Sequence, residues 1–221
     1  MSHHFRFGRE YDFHELLADG VVHAIGVVLA LIGVTVLIFQ ATVWGSTGML
    51  IAAWIYGLGL VGALMISFTY NMLPPSRLKW VMRRLDHSAI FILIAATYTP
   101  FLQPGAADDP AMLALLVGIW IMAGLGVALK CLLPGRHDRL AVLLYLAMGW
   151  SGLLAFGSIT LHLPPASVVM IVVGGMIYSA GVIFHLWRKL RFQNAIWHGF
   201  VVAAAALHYV AVLSVFRQAG L

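Results

Sequence analysis

The chain reads as an all-α, polytopic membrane protein: a bundle of seven transmembrane helices with a cytoplasmic N-terminus and an external C-terminus. Three observations predict this. Hydrophobic residues make up 62% of the 221 residues and charged residues only 10%, where an ordinary soluble domain carries about 25% charged residues. Seven runs are long enough to cross a bilayer, which takes roughly 20 apolar residues. The basic residues collect in alternate connectors, the pattern that sets membrane orientation.

These properties exclude several classes. Mean hydropathy is +0.96, more apolar surface than a water-facing shell covers, so a soluble enzyme and a disordered chain are ruled out. The single cysteine, Cys131, rules out an intrachain disulfide and a cysteine metal cage. A net charge of +5 with pI near 9.7 does not indicate nucleic acid, because the basic residues form short clusters between apolar runs. The opening residues, MSHHFRFGREYDFHELLAD, are polar and mixed in charge and predict no cleaved leader.

The spans are expected over residues 19–40, 47–70, 85–103, 111–132, 139–160, 167–187 and 194–216. They form one membrane domain, 19–216, between a short cytoplasmic segment, 1–18, and a short external tail, 217–221. Pro74-Pro75 closes the second run, Gln103-Pro104-Gly105 the third, Pro134-Gly135 the fourth and Pro164-Pro165 the fifth; proline ends helices because it lacks an N–H and clashes with the preceding turn. Twelve of the thirteen Lys and Arg residues lie in the N-terminal segment and the second, fourth and sixth connectors, and only Arg217 lies on the far side. Glycines and alanines within the spans predict close helix packing. Tryptophans near the span ends, such as Trp44 and Trp187, predict interfacial anchoring.

Ionisable groups at membrane depth are costly and usually mark function. Glu15, Asp19 and His23 are spaced four apart and share one face of the first helix. Ser67 and Asn71 end the second helix; Asp86, His87 and Ser88 begin the third; Asn194 and His198 begin the seventh. The topology brings all four regions to the same depth, which predicts a shared polar pocket in the cytoplasmic half of the bundle. Imidazole, carboxylate and hydroxyl groups in a low-dielectric place are the parts of a hydrolytic metal site. Asparagine, however, is a poor zinc ligand beside imidazole, and it occupies positions 71 and 194.

Each group also has a structural reading. His198 is either a ligand or a buried histidine bonded to Asp86 or Ser67. Asp86 is either a water-positioning carboxylate or a helix N-cap. His23 reads as structural, Ser67 as a helix-packing hydroxyl, and Glu15 as a clasp to Arg83 or Arg84. His162, His185 and His208 lie away from the cluster.

These residues resemble the hemolysin III family, within the wider progestin and adipoQ receptor group, over nearly the whole chain. Glu15, Asp19 and His23 fit its first-helix pattern. RRLDHSAIFILIAATYTPF, residues 83–101, is similar to its third-helix signature, and GGMIYSAG, residues 174–181, to its sixth helix. In the second helix Ser67 matches, while Asn71 replaces a histidine; in the seventh His198 matches, while Asn194 replaces another. The resemblance implies seven helices and a zinc site of three histidines near the cytoplasmic face. In that site Asp86, with Ser67 nearby, serves catalysis, and lipid amides or esters enter sideways from a bacterial inner membrane. With Asn71 and Asn194 at two ligand positions, zinc binding and hydrolysis are expected to be weakened or lost. The alternatives are a rearranged metal set of His198 with Asp86, His23 or His87, and asparagines introduced into a metal-binding parent. The rival functions are an ion-translocating or pore-forming protein and a non-catalytic lipid sensor.

Overall fold

The structure, a computed structural model, describes residues 11–133 and 138–219. The expectations for residues 1–10 (with His3, His4, Arg6 and Arg9), for Pro134-Gly135 and Arg136, and for residues 220–221 lie outside it. Seven spans are long and apolar enough to cross a membrane, and no strand occurs among the described residues. The protein is therefore an integral membrane helix bundle. Six spans are single helices: α1 (Phe13–Trp44), α2 (Thr47–Met72), α3 (Arg77–Leu102), α4 (Pro110–Leu132), α7 (Pro165–Leu186) and α8 (Gln193–Ala219). The remaining span is divided between α5 (Asp138–Trp150) and α6 (Phe156–His162).

Side-chain caps set the helix starts. Asp12 and Glu15 form a capping box at α1, in which each side chain accepts the other residue's backbone N–H. Ser46 accepts from the Met49 N–H at α2, and Ser76 accepts from the Lys79 N–H at α3. Helix α3 thus begins at Arg77 rather than near residue 85. Arg77, Lys79, Arg83 and Arg84 depress hydropathy but are good helix formers. Asp86 consequently lies inside the helix, which corrects its reading as an N-cap.

Helix α4 is capped by Asp109, whose side chain accepts from the Ala111 and Met112 N–H groups. A hydrogen bond from the Ser158 hydroxyl, together with those two N–H groups, holds the Asp109 carboxyl below its usual value. A carboxylate lowered by folding stabilises the fold above its unfolded value of about 4 and loses that contribution as pH falls through the folded value. Asp109→Asn retains a capping oxygen but no charge. It is expected to flatten the drop in thermal midpoint between neutral pH and pH values below about 4.

The fifth span departs from the expected single helix. A 3-10 turn over Ser151–Ala155 interrupts it without any proline. Unpaired backbone groups in hydrocarbon cost several kcal/mol, and Tyr98 of α3 satisfies two of those freed here. Its hydroxyl accepts from the Gly152 N–H at 2.9 Å and donates to the Gly149 carbonyl at 2.7 Å. Trp150 ties the same region to α7 by donating to Ser179 Oγ at 3.0 Å.

Helices α1 to α4 pack in sequence, α8 lies between α1 and α7, and α3 also touches α5 and α8. Small residues carry these contacts: Ala53, Ala95, Ala96, Ala204 and Ala211 are fully buried, which lets helix backbones approach closely. The consequence for function is the end of the bundle that bears the basic connectors. There the starts of α1, α3, α5 and α8 meet the ends of α2, α4 and α7.

Candidate functional site

Four side chains from three helices form the centre of that polar end. Asp19 and His23 of α1 are 2% and 1% exposed, and His198 of α8 is 12% exposed. His23 Nδ1 lies 2.9 Å from the Asp19 backbone carbonyl. A carbonyl only accepts, so that nitrogen carries the proton. His198 Nδ1 lies 2.6 Å from Asp19 Oδ1, a short N–H donation to a carboxylate. Both rings therefore turn their Nε2 atoms toward Ser67 of α2: His23 Nε2 at 3.2 Å and His198 Nε2 at 3.5 Å from its Oγ. One hydroxyl thus faces two imidazole Nε2 atoms. Asp19 Oδ2 is buried and has no hydrogen-bond partner.

Beside this centre the two asparagines bind each other. Asn194 Nδ2 donates to Asn71 Oδ1 at 3.1 Å. Asn71 Nδ2 donates to the Ser67 carbonyl at 2.9 Å and lies 3.4 Å from Ser67 Oγ. Tyr11 Oη lies 3.1 Å from Asn194 Oδ1 and 3.2 Å from Gln193 Oε1, and Gln193 Nε2 donates to the His185 carbonyl at 2.9 Å. Both amide oxygens at the expected ligand positions are thus engaged as acceptors.

Glu15 holds the start of α8 in place. Its carboxylate accepts from the Phe192 N–H at 3.0 Å and from the Asp12 N–H at 3.1 Å. Phe192 has φ 58°, in the left-handed region, and such a backbone persists in a bulky residue only where its surroundings over-determine it. Glu15 thereby positions Asn194 and His198. Arg83, one of the partners expected for Glu15, binds Asp138 Oδ2 at 2.9 Å. Arg84 stacks over the Trp80 ring at 3.5 Å.

A cavity of about 1850 Å3 opens over these groups, and Ser67, Asn71, Asp86, His87, Asn194 and His198 all line it. The expected convergence of distant segments is present. Of the two partners expected for His198, Ser67 is the one it faces, at 3.5 Å, while its other ring nitrogen bonds Asp19 rather than Asp86. His87 stands apart from the centre, 3.8 Å from Asp138 Oδ1, and its backbone carbonyl accepts from the Tyr145 hydroxyl. His208 bonds the Ile171 carbonyl and His162 the Ser158 carbonyl, both away from the site.

Sequence reasoning missed Tyr11, Gln193, Lys130 and Asp138 as parts of this polar end. Lys130 was readable, since a lysine inside an apolar run is itself a signal.

The chain matches the haemolysin-III-related family over residues 11–209. It belongs to the haemolysin III family. It is 33% identical over 203 residues to a hemolysin-3 homolog of Bacillus subtilis, covering 92% of this chain and 95% of that one. It is also 33% identical to hemolysin-3 of Bacillus cereus, covering 90% of each chain. Monocyte to macrophage differentiation factor of Homo sapiens is 31% identical, over 90% of this chain and 83% of its own length. That relative, with the plant heptahelical transmembrane proteins, extends the kinship to the progestin and adipoQ receptor group.

The donors of this haemolysin III chain do not fit a three-histidine zinc site: His198 remains, but Asn71 and Asn194 present amide oxygens already bound to hydrogen donors. A different set lies close at hand. Ligand atoms of Asp19, His23 and His198 fall within 4.8 Å of one another, near enough to share a metal ion.

Proposed function

We propose that this haemolysin III protein keeps a lipid-facing pocket on the cytoplasmic side of a bacterial inner membrane while having lost the three-histidine zinc arrangement. Metal-dependent hydrolysis of lipid amides or esters is accordingly weakened or absent. The observation that carries this reading is the 3.1 Å bond between Asn194 and Asn71, which closes the place where two imidazoles would be needed. Basic side chains at the cavity, among them Lys79, Arg83 and Lys130, and apolar walls such as Leu64 and Val201, suit an amphiphile that enters sideways from the bilayer.

One observation favours a second reading, a cation held by Asp19, His23 and His198: the buried Asp19 Oδ2 atom has no hydrogen-bond partner. A metal there would supply an activated water. Zinc analysis of the purified protein separates the two. The unsubstituted chain is expected to carry far less than one zinc ion, and Asn71→His/Asn194→His is expected to gain a full equivalent. Stoichiometric zinc in the unsubstituted chain, removed by Asp19→Asn, would overturn the first reading in favour of the second.

A further inference from the structure

We propose that Ser67 is a nucleophile with His198 as its base and Asp19 as the residue that positions the base, so that the pocket transfers acyl groups from lipid esters or amides without a metal. This rests on the reading that the polar centre works without zinc.

The orientation of the Ser67 hydroxyl is the first support. Hydroxyls inside membrane helices commonly donate to the carbonyl four residues earlier. Thr35, Thr42, Thr69, Thr97, Thr99 and Ser179 all do so here, at 2.7 to 2.9 Å. Ser67 instead faces two imidazole Nε2 atoms. The second support is the relay behind it. The His198 ring presents Nε2 to Ser67 because its Nδ1–H is held by the buried Asp19 carboxylate at 2.6 Å. A nucleophile facing a base that is oriented by a third group is the arrangement that activates serine, and the nucleophile–base contact is often loose before substrate binds. The 3.5 Å separation of Ser67 Oγ from His198 Nε2 is of that kind.

The third support is the pair of amides. Asn71 Nδ2, 3.4 Å from Ser67 Oγ, supplies a neutral N–H donor beside the reacting oxygen. Such a donor stabilises an oxyanion formed on an acyl carbon. The substitution that removes a zinc ligand thus adds a group that a serine mechanism can use. Ser67, Asn71 and His198 all border the cavity, whose walls near them include Ala63, Leu64 and Val202.

The chemistry balances with water as the only co-reactant. The Ser67 hydroxyl proton passes to His198 Nε2 as Oγ bonds the acyl carbon. The bond from that carbon to the lipid's alcohol or amine breaks, and the leaving group takes the proton from His198. Water then adds to the acyl-serine, giving its proton to His198. The carboxylic acid departs, and the proton returns to Ser67 Oγ. Asp19 gains and loses nothing in the cycle.

The test uses the full chain in lipid nanodiscs with a long-chain alkyl fluorophosphonate, adduct mapping by mass spectrometry, and zinc analysis of the same sample. One adduct on Ser67 is expected, formed equally with and without chelator and absent in Ser67→Ala. His198→Gln and Asp19→Asn are expected to slow it by at least about 100-fold. Asp19→Asn should also displace the pH profile of labelling, which a purely structural role would leave in place. Ser67→Cys keeps the fold if the alanine variant does not, and iodoacetamide should alkylate position 67 faster than the exposed Cys131. No adduct on a folded, zinc-free protein would overturn the nucleophile, as would equal rates in wild type and Asp19→Asn. An adduct abolished by chelator in a protein carrying stoichiometric zinc would instead overturn the metal-free reading.

Discussion

Replacing Asp138 by alanine is expected to destabilise the protein by about 3–5 kcal/mol, the cost of removing one partner from a buried ion pair. The cause lies with Lys130, whose side chain is 2% exposed. Its ammonium lies 2.7 Å from Asp138 Oδ1, while Arg83 donates to Oδ2 at 2.9 Å. In Asp138→Ala the lysine stays in the last turn of α4 with its acid gone. Lys130→Met is the milder change, because Asp138 is 29% exposed and keeps Arg83. The double variant Lys130→Met/Asp138→Leu should recover most of the loss, since an apolar pair of similar volume often replaces a buried ion pair without cost. Unfolding in mixed micelles measures all three. A loss below about 1 kcal/mol in Asp138→Ala is the value of a solvent-exposed pair and would show that the lysine reaches the headgroups on its own.

The number and order of the spans were legible because each signal was local: an apolar run, a terminating proline, a basic connector. The boundaries were less so. Helix α3 starts at Arg77 since a serine cap and helix-forming basic residues outweigh their low hydropathy, and the same conflict misplaced Asp86 at a helix end. The break in the fifth span was not read from the sequence. No proline marks it, and the Ser151-Gly152 pair at its start, a turn signal in itself, is hard to tell from the small residues that pack membrane helices. The break is made tolerable by Tyr98, a residue of α3 some fifty positions earlier.

The polar centre was legible as a neighbourhood but not as a set of pairs. Four-residue spacing put Asp19 and His23 on one face, and alternating topology put Ser67 and His198 at their depth. Which of the available carboxylates would meet His198 depended on how α1 and α8 lie together, and no short-range pattern encodes that. Asp86 and Ser67 were the expected partners; Ser67 and Asp19 are the ones in contact. The amide bond between Asn71 and Asn194 depended likewise on the approach of α2 and α8. Two asparagines that lie far apart in sequence and look unrelated there are a hydrogen-bonded pair in space.

Gly126→Val is expected to cost about 3 kcal/mol, the upper part of the range for overpacking a filled core. A Cβ at Gly126 would stand 2.4 to 2.5 Å from three ring atoms of Phe91, closer than carbon atoms can approach. The Phe91 ring is fully buried and leans on Tyr145 at 4.5 Å between ring centres. Tyr145 in turn holds the His87 carbonyl by a 2.7 Å bond. Either α4 must withdraw from α3, or the displacement passes through Phe91 and Tyr145 to the polar end of α3. The same helix supplies the controls. Nothing lies within 4 Å of a Cβ at Gly118 or Gly124, so alanine at either is expected to be neutral or to stabilise by up to about 1 kcal/mol through helix propensity. Unfolding in mixed micelles compares them directly. Equal stability of Gly126→Val and Gly124→Ala would mean that α3 and α4 do not meet at Phe91, and the placement of His87 and Asp138 at the cavity would lose its support.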